Sequence, residues 1–181
     1  MRPIDIHPSG QERTFGQDEL IVTKTDLQGR LTYCNDVFLR MSAYPEHEML
    51  GQPHSMIRHP EMPRAVFKLL WDTLKDGREI FAYVVNLAGD GAHYWVLAHV
   101  TPSRDAAGKV VGYHSNRRVP SRRALEVVRP LYRRLLAEEA RHSRPADAVA
   151  ASTALLEATL EQAGQSYDQF LWSLAGTRVA A

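Results

Sequence analysis

Gly51–Gly77, GQPHSMIRHPEMPRAVFKLLWDTLKDG, joins a strand pair on its N-terminal side to three strands on its C-terminal side, and its reading decides the fold. Arg58 and His59 precede Pro60, Pro63 follows, and an apolar helix then begins. Pro53 before the pair and Pro60 after it hold two cation-capable side chains in a fixed place, which suits an anionic ligand at the rim of a cavity. The helix carries Val66, Phe67, Leu70, Trp71 and Leu74 on one face, and Lys75-Asp76-Gly77 stops it.

Upstream, Leu20 to Thr25 and Arg30 to Asn35 read as a hairpin about the turn Asp26-Leu27-Gln28-Gly29. Short helices are predicted over Asp36 to Met41 and Pro45 to Leu50, with Ser42 capping the second. Downstream, Ile80 to Leu87, His93 to Thr101 and Val110 to Arg118 read as strands joined at Gly89-Asp90-Gly91 and Ala106-Ala107-Gly108. In the middle one, Tyr94, Val96, Ala98 and Val100 share a face, and His93, Trp95, Leu97 and His99 share the other. Neither face is simply polar, so both are expected to be covered in part.

Beyond Pro120 the pattern turns helical. Ser121 is a cap, and Leu125, Val128, Tyr132, Leu135 and Leu136 form a stripe interrupted by Pro130, where a kink or break is expected. Arg144-Pro145 opens a helix to about Gln162, and Ser166 to Leu174 forms a last one. The expectation is an α+β fold: a five-stranded antiparallel sheet with helices on one face, followed by C-terminal helices. Residues 1–18 form an arm or loose cap, 19–120 the sheet domain and 121–181 the helical segment.

A net charge of +1 and the absence of a long Lys/Arg block argue against nucleic acid as a partner. No apolar run approaches the roughly 20 residues of a membrane span, and the N-terminus lacks the apolar core of a secretory signal. A cytoplasmic protein without membrane insertion is expected. Cys34 is the single cysteine, which excludes an internal disulfide and a Cys-rich zinc site. Neither a phosphate-cradling loop nor a Ser-His-acid order nor a histidine-kinase motif occurs, so no catalytic residues are assigned and an enzyme is not expected.

TDLQGRLTYCND (25–36), EMLGQPHSMIRHPEMP (48–63), LLWDTLKDGR (69–78), HYWVLAHVTP (93–102) and VGYHSNRRVPSR (111–122) together resemble the PAS sensor domain of bacterial aerotaxis receptors of the Aer type, as a short standalone PAS protein. The resemblance implies a PAS fold that holds FAD non-covalently between sheet and helices and reports cellular redox state or oxygen. On it, Arg58 and His59 occupy the Arg-His positions on which flavin binding depends, and Glu61 stands where the family usually has Asp. Asn35 matches a strand-end Asn of the pocket and Asn86 a later pocket-side Asn. Ile80 replaces a pocket Trp that follows the helix-ending Gly-Arg in the family. Phe81 points to the opposite side of an ideal strand and cannot stand in for it.

Each assignment has a plainer counterpart. Arg58 can pair with Glu61 or another surface carboxylate, Asn35 and Asn86 can bond local backbone, and Trp71, which supplies aromatic surface on the helix that walls a PAS cavity, can be a core residue of that helix. A haem reading would draw on His93, His99 or His114, although lone strand histidines are more often not ligands, and no spacing favours a metal site. The expected function is therefore a redox or oxygen sensor in bacterial signal transduction, aerotaxis by resemblance. It would signal to a chemotaxis receptor, a kinase, another signalling protein, or a second copy as a homodimer. Against it stand a PAS interaction module with an empty or metabolite-filled pocket, which Ile80 favours, and a haem gas sensor.

Overall fold

A computed structural model describes residues 6–174. The first five residues of the expected arm and the last seven of the expected helical segment lie outside the described residues. The chain divides into two compact units. One holds the described residues up to Pro60 together with Thr73–Val119; the other holds Glu61–Asp72 together with the described residues from Pro120 on.

In the first unit, β1 (Ile21–Thr25), β2 (Leu31–Cys34), β3 (Ile80–Leu87), β4 (His93–Arg104) and β5 (Val110–Arg118) form one antiparallel sheet in the order β2-β1-β5-β4-β3. The expected five-stranded sheet is the one observed. Two of its turns share one construction. Asp26 Oδ1 accepts from the Gln28 and Arg30 N–H groups, and Asp105 Oδ1 accepts from those of Ala107 and Lys109. Gly29 and Gly108 supply the positive φ each turn needs.

Between β2 and β3 come α1 (Asp36–Ser42), α2 (Glu46–Met49) and a single 3-10 turn over His54–Ile57 that the sequence did not signal. Ser42 does not cap α2. It is the buried last residue of α1, its hydroxyl donating to the Leu39 carbonyl, while Ala43 turns the chain through a left-handed conformation and Pro45 precedes α2 without a side-chain cap. β4 runs past Thr101 to Arg104. Pro102 is tolerated because β3 pairing ends at Val100, which leaves that edge of β4 without a partner strand there.

The N-terminal arm is not loose. His93 exchanges backbone hydrogen bonds with Gln11 and Arg13, and Ser9 bonds Gly91, so the arm occupies the edge of β4 that β5, ending at Leu97, leaves open. Arg13 anchors it further, donating to the Met41 carbonyl (2.9 Å) and pairing with Asp90.

In the second unit, α4 (Arg122–Glu139), α5 (Pro145–Gln162) and α6 (Tyr167–Leu174) join most of α3 (Arg64–Lys75). α4 is continuous through Pro130, so the proline does not break the helix. The proline ring lies on the exposed side, while Val128, Leu131, Tyr132 and Leu135 carry the buried stripe past it. Glu139 Oε1 accepts from the Arg64 N–H (2.7 Å), the Ala65 N–H (3.3 Å) and the Ser152 hydroxyl (3.0 Å). One carboxylate thus caps the start of α3 and ties it to α4 and α5, where the helix dipole favours negative charge. Among the described residues no helix is long and apolar enough to cross a membrane.

Candidate functional site

Strand alternation gives the sheet of the first unit an inner face that is buried along most of its length, with Val100 half-buried. Directly opposed residues share a face, so the register sets out its rows. Asn86 lies beside Tyr94, and Val84 beside Val96. Ala82, Ala98, Arg117 and Ile21 form the next row, then Ile80, Val100, Ser115, Thr23 and Cys34. Two alanines flanked by valines make a low apolar floor, with polar side chains at both ends.

Arg117 is the unusual member, 4% exposed in the middle of a strand. Its Nη2 donates to Thr23 Oγ1 (2.7 Å) and to His54 Nε2 (2.6 Å), and the Phe38 ring of α1 lies 5.9 Å from its guanidinium carbon. Thus the 3-10 turn and α1 both sit on the inner face. Neither hydrogen-bond acceptor is an anion. Burial lowers Arg117 to about 10 from its ordinary value, a charge penalty of ~3 kcal/mol.

His54 answers to the same environment: burial, and then the neighbouring Arg117 charge, holds it well below the usual imidazole range. It is neutral at neutral pH and accepts from Arg117. Because the folded value is depressed, the unfolded chain binds the proton first as pH falls. Stability is then complete above about pH 6.5 and is lost below it, by up to ~1.4 kcal/mol per pH unit for this one group. Urea unfolding at pH 7.5 and pH 5.5 is expected to show this loss in the wild type and a smaller one in His54→Gln; equal losses in both would remove His54 as the source.

Four buried side-chain atoms of the inner face make no well-formed hydrogen bond, Asn86 Nδ2, Tyr94 Oη, Ser115 Oγ and Arg117 Nη1, although the first two lie close enough to interact with each other. Burial pushes the Tyr94 hydroxyl far above its usual range, against smaller opposing pulls from Arg117, Arg13 and Asn86, so it remains a neutral donor. Buried polar groups are nearly always satisfied, and four such atoms on three adjacent strands mark a surface built to meet something polar.

Of the residues singled out in the sequence, the structure brings three together. The Arg58 backbone forms an antiparallel bridge with Asn86, so the Arg-His segment runs along the edge of β3. His59 is buried, its ring 5.6 Å from that of His93 at the same end of the sheet. Ile80 faces inward, but at the far end of β3, about 20 Å from Asn86 by strand rise. Phe81 faces outward and stacks flat on His99 at 4.1 Å.

Asn35 serves the backbone. Its Oδ1 accepts from the Val22 and Phe38 N–H groups (3.0 and 3.1 Å) and its Nδ2 donates to the Leu20 carbonyl (2.8 Å), capping α1 and clasping β1. Glu61 and Trp71 belong to the second unit, where Glu61 is exposed and Trp71 half-buried. His99 and His114 sit on the outer face, bonded to Glu79 and Asn116. No group of three or more His, Cys, Asp and Glu converges as a metal site among the described residues.

The fold and the strand order are those of a PAS domain, and residues 31–117 match the PAS fold family. Within that class the chain is a relative of the bacterial aerotaxis receptors. It is 40% identical to the aerotaxis receptor of Escherichia coli (strain K12) over 131 residues, 71% of this chain and 26% of that protein. The nitrogen fixation regulatory protein of Klebsiella pneumoniae is 26% identical over 107 residues, 59% of this chain and 22% of that protein. The dark structure of the blue-light photoreceptor Aureochrome1 LOV superposes with a TM-score of 0.52 at 26% identity, over 61% of this chain and 81% of that one. The chain thus spans about a quarter of the length of the curated relatives it matches. It contains a PAS-type sensor domain related to the aerotaxis receptor and other sensors.

The sequence reading missed Arg117, Tyr94, Ser115, Thr23 and His54. The available signal was alternation: Tyr113, Ser115 and Arg117 share one face of a strand whose neighbour presents Tyr94, Val96, Ala98 and Val100 on that same face.

Proposed function

We propose that the PAS domain binds FAD non-covalently over the inner sheet face and acts as a redox or oxygen sensor rather than an enzyme. What supports this reading above all is the set of four buried polar atoms of Asn86, Tyr94, Ser115 and Arg117 that make no well-formed hydrogen bond. They border the Ala82–Ala98 floor, which suits a flat ring. Donors of these kinds fit the nitrogen and carbonyl edge of an isoalloxazine, and a buried cation without an anionic partner fits an electron-rich one.

A bound flavin supplies redox chemistry, with charge and protonation changing at N1 and N5. The chain's own groups answer that change. Asn86 can turn its carboxamide to donate or accept, while Arg117, held by Thr23 and His54, is a fixed charge. Arg58, bridged to Asn86 through the backbone, supplies a cation at the sheet edge for the anionic part of FAD, beside His59. Ile80 stands in place of a family Trp at the far end of this floor, and Asn35 positions β1 and α1. The change in local bonding biases a cytoplasmic partner between two states. A chemotaxis receptor, a kinase or a second copy of the chain fits that role.

Titration of the apoprotein with FAD, followed by quenching of flavin fluorescence, is expected to saturate at one flavin per chain. Asn86→Ala and Arg58→Ala are each expected to lower occupancy with an unchanged circular dichroism spectrum. A full complement of flavin in either variant overturns that residue's assignment. Ile80 favours the second reading, a ligand-free or metabolite-binding interaction module, because an aliphatic side chain removes stacking surface from its end of the floor; failure of the wild type to take up flavin would select it.

A further inference from the structure

The sequence from Pro120 to Arg144 holds seven arginines and three glutamates, with no lysine or aspartate, in a chain whose net charge is only +1. Two of these arginines are engaged locally, Arg141 with Glu138 and Arg144 with Asp147. Arg122, Arg123, Arg133 and Arg134 of α4 are exposed and form no ion pair among the described residues.

Their spacing is regular. Arg122 with Arg133, and Arg123 with Arg134, are each eleven residues apart, about three turns and ~16 Å of helix, at nearly the same angle around the axis. The two rows lie roughly 100° apart on the helix. Between them sit only Glu126, Pro130 and Ala137, all exposed. Pro130 has no N–H, so the Glu126 carbonyl loses its intrahelical donor on this same face. The result is a shallow strip with an acidic side chain at its centre, walled by four guanidiniums.

We infer that this face of α4 docks an acidic helix of a partner protein, one whose carboxylates recur about three turns apart with a cation between them. Guanidinium forks meet carboxylates bidentately, which suits four arginines and no lysine. Glu126 decides against a uniform polyanion. Phosphates of a nucleic acid or an anionic membrane would meet its charge unfavourably, whereas a cation in the middle of a partner helix would satisfy it. A membrane would also need several apolar side chains to insert, whereas Val127 is the one large apolar side chain that α4 exposes, the buried stripe holding the others. The inference stands independently of the flavin.

The probe is a synthetic acidic helical peptide with glutamates in two rows eleven residues apart and one lysine midway, titrated against the full chain by fluorescence anisotropy. Binding at low salt is expected, with strong weakening at about 0.3 M salt. Arg123→Glu combined with Arg134→Glu is expected to lower affinity by about tenfold or more, and the matching Gln variant by less. Glu126→Lys is expected to weaken the peptide as well. Absence of binding, or affinity indifferent to the arginine changes, overturns the inference. So does tighter binding of duplex DNA or phosphatidylserine-containing vesicles that Glu126→Lys strengthens further, which would make the face a polyanion site. All these positions are exposed, and circular dichroism of each variant checks that it folds.

Discussion

Arg117→Met is expected to make the apoprotein more stable and to strip the domain of flavin. In the apoprotein the guanidinium is buried with only a hydroxyl and a neutral imidazole as acceptors, and one of its nitrogens has no partner. An isosteric apolar side chain removes that uncompensated charge. The gain is expected to be about 1–3 kcal/mol, short of the full penalty because Thr23 and His54 lose their donor. The penalty has a defined pH window. The folded value of about 10 lies below the ordinary 12.5, so the charge opposes folding throughout the range below about pH 10 and is relieved only as pH climbs between the two. Urea unfolding of the two apoproteins, with flavin content measured on the same preparations, checks both halves. A variant destabilised by several kcal/mol would make Arg117 a structural residue, and one that keeps its flavin would remove it from the site.

Gly112→Ala is expected to cost more than 3 kcal/mol or to leave the protein insoluble. A Cβ at Gly112 would lie 2.2 Å from the Thr25 carbonyl oxygen. That oxygen cannot withdraw, because Thr25 pairs with Leu31 on one side and Tyr113 on the other. The clash is with a backbone atom of the neighbouring strand, at the point where β5 leaves its turn and enters pairing with β1. Thermal unfolding of the variant beside the wild type measures it; a midpoint within a degree or two would show that the two strands can part there without loss.

Much of this architecture was legible because local chemistry marks its own boundaries. Ile80–Leu87 runs into the turn at Gly89-Asp90-Gly91, and Val110–Arg118 starts after the Asp105–Gly108 turn and stops before Pro120, so the sequence pattern marks the observed limits of both strands. The sequence pattern ends β4 at Thr101, and only the register shows that Pro102 lies beyond the end of β3 and inside the strand. The continuity of α4 was hidden for a related reason, since the sequence places Pro130 in the stripe but not on the solvent side. The Arg-His segment and Asn86 were visible through resemblance, and their adjacency came from a backbone bridge that no spacing encodes. Arg117 was the hardest to see. Arg117 and Arg118 are neighbours of identical chemistry, and only pairing with Ala98 and Ile21 turns the first inward while the second is exposed. Asn35 shows the opposite limit: one residue type serves equally as a ligand contact and as a helix cap, and geometry alone assigns its amide to the backbone.

The most direct test of the account is the absorption spectrum of the freshly purified protein, taken before and after dithionite and again after exposure to air. Bands near about 370 and 450 nm that bleach on reduction and return with air are the predicted result, because they report a bound flavin that cycles in its site. A protein without these bands, still without them after incubation with FAD, would contradict the central claim and leave the polar inner face to another ligand.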